Sequence, residues 1–320
     1  MDTRGYARLN ASLLISALLL LSVLTYQWSA HRTLTTVKAP GDPKTAESLY
    51  TAVQLFPQTI PSLQAGFYEL QIEDRSGKTH AVSRFRITES RQIIDSGGSA
   101  ISNGLFLLPQ GVFTATSAAI AVTSGSGAAL EFLSGAFEGD RATLSFAAAD
   151  FSGAGGQYML GTPTDGNDNI NERSGVWFGN YETGVSTLVL PALQRGWVYE
   201  GWAVVDGRPL TTGRFTNAMT PDLFSGFNDN RQVAPRIPGE DFLLNPPVAV
   251  FAGLTFPTDL AGQVVRVSIE PDMNGIDPTG QAPLGIVALE AEVPKRLTIS
   301  LTDSMFLMPY TLFPACHRSL

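Results

Sequence analysis

The residues best equipped for chemistry lie in one short stretch, Thr164-Asp165-Gly166-Asn167-Asp168-Asn169-Ile170-Asn171-Glu172. Asp165, Asn167 and Asn169 stand at alternate positions with Glu172 beyond them. Hard oxygen ligands at that spacing are what Ca²⁺ takes. The stretch departs from an EF-hand, because Ile170 occupies the position of the turn glycine and Val176 that of the bidentate glutamate. Asn and Asp also bond their own backbone in tight turns. Two readings therefore stand side by side, a calcium site built from Asp165, Asn167, Asn169 and Glu172, or an Asx-rich turn. The stretch 272–277 is a weaker candidate of the same kind.

Nucleophilic and metal chemistry of other kinds finds little support. The three histidines, His31, His80 and His317, have no neighbour in sequence that would complete a metal pair or activate a nucleophile. A G-x-S-x-G elbow, a glycine loop with lysine and a C-x-x-C pair are all missing. Cys316 is the single cysteine, so no intramolecular disulfide forms. Trp177, Trp197 and Trp202 could line a ligand groove, although aromatics on strands more often pack in a core or pair across strands. A carboxylate pair drawn from Asp165, Asp168, Glu200 and Glu240 would suit a secreted hydrolase. A net charge of −8 argues against nucleic acid as a partner, which needs clustered Lys and Arg.

What must position these residues is a set of strands. The stretch 190–209 places aromatic and β-branched residues on both sides of Asp206-Gly207, a strong hairpin signal because both central positions of a type I′ turn need positive φ. The pattern occurs once before. In a gap-free overlay Pro61, Leu63, Gln64, Gly66, Gly77, Arg84 and Phe85 meet Pro191, Leu193, Gln194, Gly196, Gly207, Arg214 and Phe215. The stretch 138–146 likewise lies over 293–301, a basic turn followed by an alternating strand. The chain thus reads as a tandem duplication. Strands are also expected over 105–108, 119–122, 176–178, 188–190, 253–256, 264–269 and 305–310, with a long irregular segment from 216 to about 248.

At the N-terminus Arg4 and Arg8 precede an apolar run, 11–24, that continues to Ala30. This is a charged region followed by a hydrophobic one, so residues beyond about 31 are expected outside the cytoplasm. The run is either a cleaved signal peptide or a signal anchor, since Tyr26 and Trp28 stand where an interfacial aromatic belt would. The expected fold is all-β, with two tandem β-sandwich-like units following an N-terminal apolar helix. The expected division is signal 1–30, spacer 31–47, first unit 48–150, second unit 151–303, and a C-terminal strand and tail 304–320.

The hairpin from Gly196 to Phe215, followed by Val265-Arg266-Val267-Ser268-Ile269-Glu270-Pro271 and Asp277-Pro278-Thr279-Gly280, resembles the extracytoplasmic C-terminal domain of anti-sigma-K-type factors. The likeness covers the second unit well and the first weakly. It implies an exposed β-domain outside the cytoplasm. In that family a cytoplasmic zinc-binding helical domain holds the sigma factor. Here about ten residues precede the apolar run, without His or Cys, so sigma binding is not expected to carry over. The expected role is non-enzymatic, in sensing, adhesion or assembly, periplasmic or at the cell surface. The expected partners are an envelope protein or polysaccharide, with the membrane added if the N-terminal helix stays uncleaved. The hydrolase is the alternative.

Overall fold

Alternation of apolar and polar residues drives this chain into strands, and among the described residues sixteen glycines sit at positive φ, most of them in the turns between strands. The computed structural model describes residues 34–38, 50–56, 60–63, 65–112, 114–123, 129–146, 149–166, 170–244, 253–272, 282–295, 302–305 and 315–316. Among the described residues no α-helix occurs, and no helix is long and apolar enough to cross a membrane. The N-terminal apolar run lies outside them.

The first half contains β1 (Leu34–Lys38), β2 (Tyr50–Gln54), β3 (Phe67–Glu73), β4 (Thr79–Ile87), β5 (Ile93–Asp95), β6 (Leu105–Leu107), β7 (Ser117–Thr123), β8 (Leu130–Glu138) and β9 (Arg141–Thr143). The second contains β10 (Gly156–Leu160), β11 (Gly175–Trp177), β12 (Gly179–Asn180), β13 (Val185–Ser186), β14 (Trp197–Val205), β15 (Arg208–Phe215), β16 (Gly239–Asp241), β17 (Val264–Pro271), β18 (Ile286–Glu292), β19 (Thr302–Met305) and β20 (Ala315–Cys316). β1 falls inside the stretch read from sequence as a spacer, where it pairs with β2 and β9.

One strand order occurs twice. The run β4-β3-β7-β8 in the first half is matched by β15-β14-β17-β18 in the second, and β6-β2-β1-β9 by β16-β11-β10-β19. All these pairings are antiparallel. In the first half the two runs join because β8 also pairs with β9. In the second half they form separate sheets.

The match extends to single residues, but not in the gap-free register. Tyr68 faces Phe85 and Glu69 faces Arg84; Tyr199 faces Phe215 and Glu200 faces Arg214. Tyr68 therefore corresponds to Tyr199, not to Val198 as the overlay had it. Each tyrosine donates to a proline carbonyl, Pro61 at 3.0 Å and Pro191 at 2.6 Å, and lies against its phenylalanine at 5.6 and 5.7 Å between ring centroids. A register shift falls at the same place in both hairpins, between Leu70 and Gln71 and between Gly201 and Trp202. The turns absorb the one-residue offset. Glu73 pairs with Thr79 across a five-residue loop, whereas Val205 pairs with Arg208 across Asp206 and Gly207, at φ 50° and 78°. The type I′ geometry expected from Asp-Gly is present. The third and fourth strands also correspond, Ile120 facing Leu133 as Val267 faces Leu289. By that register Phe137, one residue before the Glu138 of the sequence overlay, is the counterpart of Val293.

A single cluster of buried apolar residues runs through both halves. Trp197 joins them, its ring 6.3 Å from Phe132 and 5.0 Å from Phe146. At Gly196 (φ 95°) an added Cβ would lie 2.8 Å from Leu130, so this glycine permits both the turn and the close approach. The expected strand over 253–256 is instead a turn. Phe256 stacks on Phe227 at 5.6 Å, and packing against that aromatic overrides its strand preference.

Candidate functional site

Strand β16 brings two loops of the second half together. Gly239 lets it lie on its neighbour, because a Cβ there would fall 2.6 Å from the Trp177 Cα. Two residues on, Asp241 Oδ2 accepts from the Thr164 amide at 2.8 Å and hydroxyl at 2.6 Å. Its Oδ1 accepts from the Trp177 indole N–H at 2.8 Å. The Gln232 amide donates to the Thr164 carbonyl at 3.0 Å, which ties the long segment 216–238 to the same turn. Burial pushes the Asp241 carboxyl up to about 6, with the Thr164 and Trp177 donors holding it back and Asp165 adding repulsion.

Beside it Glu240 is fully buried; its Oε1 accepts only from the Asp241 amide at 3.2 Å, and Oε2 has no hydrogen-bond partner among the described residues. Burial raises it to about 10, reinforced by Asp222 and then Asp241. Asp222 accepts from the amides of Phe224 at 3.0 Å and Gly239 at 2.8 Å, and burial raises it to about 7 despite them, with Glu200 contributing. Glu200 is taken up by the Thr211 hydroxyl at 2.6 Å and Arg214 Nε at 2.9 Å.

Two clefts flank this cluster. One, of about 330 Å³, is lined by Trp177, Asp222, Phe224, Asn228 and Ile237; the other, of about 360 Å³, by Thr162, Glu172, Tyr181, Glu182 and Gln232. Of the acids named for a hydrolase, Asp165, Glu200 and Glu240 are all buried and line neither cleft, and Asp168 lies outside the described residues.

The calcium candidates are divided. Asn167 and Asn169 lie outside the described residues. Asp165 is buried, with Oδ2 unpartnered among the described residues, and Glu172 Oε2 accepts from the Thr162 amide at 3.1 Å. Among the described residues no three His, Cys, Asp or Glu side chains are grouped to hold a metal.

The three tryptophans are each buried and do not share a groove. Trp177 serves Asp241 and borders the first cleft, Trp197 joins the halves, and Trp202 donates to Ser268 Oγ at 2.8 Å. Ser268 in turn donates to Glu270, which also accepts from the Leu284 amide at 2.9 Å. Burial lifts Glu270 to about 8, with the Ser268 bond opposing and Glu200 adding to the rise. The described residues that carry the family resemblance, on β14 and β17, are thus paired strands joined by buried polar bonds. His80 Nε2 lies 2.6 Å from Asp74 Oδ2 and fastens the first hairpin's turn. Sequence reasoning missed Asp222, which looks like any turn aspartate. An available signal was an acid such as Glu200 within β14, a strand otherwise apolar on both faces. Comparison with protein-family models, curated proteins and solved structures finds no match.

Proposed function

We propose that this chain is an exported, non-enzymatic β protein whose two tandem sandwich-like units, 48–150 and 151–303, act in sensing, adhesion or assembly at the cell envelope. It is similar in this to the extracytoplasmic domain of anti-sigma-K-type factors. The observation that carries the reading is the repeated frame: the same Tyr-to-Pro bond, Glu–Arg pair and Tyr–Phe contact in both halves. Both copies of that frame hold charged groups in internal bonds. A hydrolase needs two carboxylates meeting in a cleft, and of those named for it the three among the described residues, Asp165, Glu200 and Glu240, line neither cleft.

Reporter fusions test the placement. Alkaline phosphatase fused after residue 320 is expected to be active and a fluorescent protein that matures only in the cytoplasm dark; the reverse pattern overturns export. A pull-down of the purified full-length chain with sigma factors is expected to recover none, and capture of one overturns that part of the reading.

A further inference from the structure

Two buried oxygens on one turn of the second half have nothing to bond. The turn 162–165 closes through the Asp165 amide, which donates to the Thr162 carbonyl at 3.2 Å. Thr162 and Asp165 are each 2% exposed, and Thr162 Oγ1 and Asp165 Oδ2 both lack a hydrogen-bond partner among the described residues. The turn itself is well tied. Glu172 Oε2 accepts from the Thr162 amide at 3.1 Å, Asp241 accepts from the Thr164 amide and hydroxyl, and the Gln232 amide donates to the Thr164 carbonyl. Every polar group of Thr164 is thus satisfied, so the want at Thr162 and Asp165 does not come from a loosely placed loop.

The turn borders the cleft of about 360 Å³ through Thr162, Pro163 and Gly166, and Glu172, Tyr181 and Glu182 line the same space. Among the residues lining it there is no Lys, Arg or His. Arg173 and Arg231, next in sequence to lining residues, are bonded to Asp259 and Asp229, and Arg236 is exposed. The surroundings are negative. The Tyr181 hydroxyl is pushed up to about 12 by burial and then by Glu172, Glu182 and Asp241, while Asp165 adds repulsion at Asp241. A buried carboxylate oxygen without a donor is answered by a proton, a water or an ion. A water brings no charge, and a proton on Asp165 leaves the Thr162 oxygen as it was. A cation answers both.

We propose that Asp165, Thr162 and Glu172 hold a calcium ion beside this cleft, with water from the cleft completing its shell. Ca²⁺ takes about six to eight oxygens in a flexible arrangement, whereas Mg²⁺ demands a near-octahedral one. Water and uncharged oxygens fill part of such a shell, so three grouped acids are not required. The chain's share is two carboxylates and a hydroxyl, all from the stretch between β10 and β11. Binding is a property of the purified chain and stands apart from its export.

Thermal melting of the full-length chain in detergent, at fixed ionic strength, tests this. From a baseline in chelator, the midpoint is expected to rise once Ca²⁺ passes about 10⁻⁴ to 10⁻³ M, and to go on rising with its logarithm. Mg²⁺ at the same concentrations should leave it in place. Asp165→Asn keeps the shape and removes the charge, and is expected to abolish the calcium rise. In chelator that variant should melt no lower than wild type, because it relieves an unanswered buried charge. An aspartate that only shaped the turn would lose stability with and without calcium. Thr162→Val and Glu172→Gln are each expected to move the rise to higher calcium. The site is overturned by a midpoint indifferent to Ca²⁺, by an equal rise with Mg²⁺, or by a calcium rise that survives Asp165→Asn. Melting of Asp165→Asn below wild type in chelator overturns it as well, as does a rise unmoved in both of the other variants.

Discussion

The two halves use one frame to enclose different interiors. In the first, Leu70 and Ser83 face each other in the hairpin; in the second their places are taken by Gly201 and Gly213. Those two glycines leave room between the sheets. A Cβ at Gly201 would meet Phe178 at 2.5 Å, and one at Gly213 would meet Asp222. Among the described residues, the four carboxyls that burial raises, on Asp222, Glu240, Asp241 and Glu270, belong to the second half. The shared frame fixes strand order and register, while a few small-for-large exchanges decide whether the space inside is oily or titratable.

The largest effect expected is at the junction. Trp197→Ala should cost about 3–5 kcal/mol, the usual range for removing a buried aromatic, and should split one unfolding transition into two. Calorimetry of the full-length chain reads this, and a single unshifted transition would mean the halves do not depend on Trp197. The Glu–Arg pairs come next, because the same pair sits in two environments. Side-chain exposure is 40% for Arg84 and 11% for Glu69, against 19% for Arg214 and 6% for Glu200. Arg214→Met takes the Arg214 guanidinium from buried Glu200, leaving the Thr211 hydroxyl on it, and should cost about 3–5 kcal/mol. Arg84→Met should cost under about 1 kcal/mol. Equal losses in urea titrations would show that local burial does not decide the matter.

Between about pH 4 and about pH 9, stability should also respond to pH through the buried carboxyls of the second half. The carboxyls there are raised above their unfolded values, so their contribution is complete below about pH 4. It declines as pH rises through about 6, 7, 8 and 10 for Asp241, Asp222, Glu270 and Glu240. The slope is about 1.4 kcal/mol per pH unit for each proton the unfolded chain releases and the folded one keeps. Denaturation of the Trp197→Ala variant, once its transitions separate, should show one midpoint moving with pH and the other still. The smallest effect is a matched one: Tyr68→Phe and Tyr199→Phe each remove one bond to a proline carbonyl, about 1 kcal/mol. Losses that differ by more than that would argue against equivalent frames.

Much of the frame was legible. Asp206-Gly207 specified its turn because positive φ at both positions admits few residue pairs, and the two Arg-Phe ends marked paired strands. The one-residue offset at Tyr199 was hidden because the second turn is shorter by the same amount. The matching glycines and prolines on either side kept a gap-free overlay in step at both ends. The site was less legible. Glu240 was named within a long irregular segment, but the seating of its neighbour Asp241 depends on contacts with Thr164 and Trp177, more than sixty residues away. Asp222 gave no sign at all, since its placement follows from Gly213 on another strand.

A chain that carries the same hairpin twice also faces a sorting problem while it is being made. β3 and β14 offer similar edges, and the first-half hairpin emerges from the ribosome before the second-half strands exist. If β3 took β17 as its neighbour in place of β7, the shared register shift would let the backbones fit. The side chains would not. Leu70 would stand where Gly201 makes space for Phe178, and Glu270 would face Phe67, in the place Thr123 holds now. The exchanges that make the second interior acidic thus also make the two halves poor substitutes for one another, so that matching strand orders need not lead to exchanged strands.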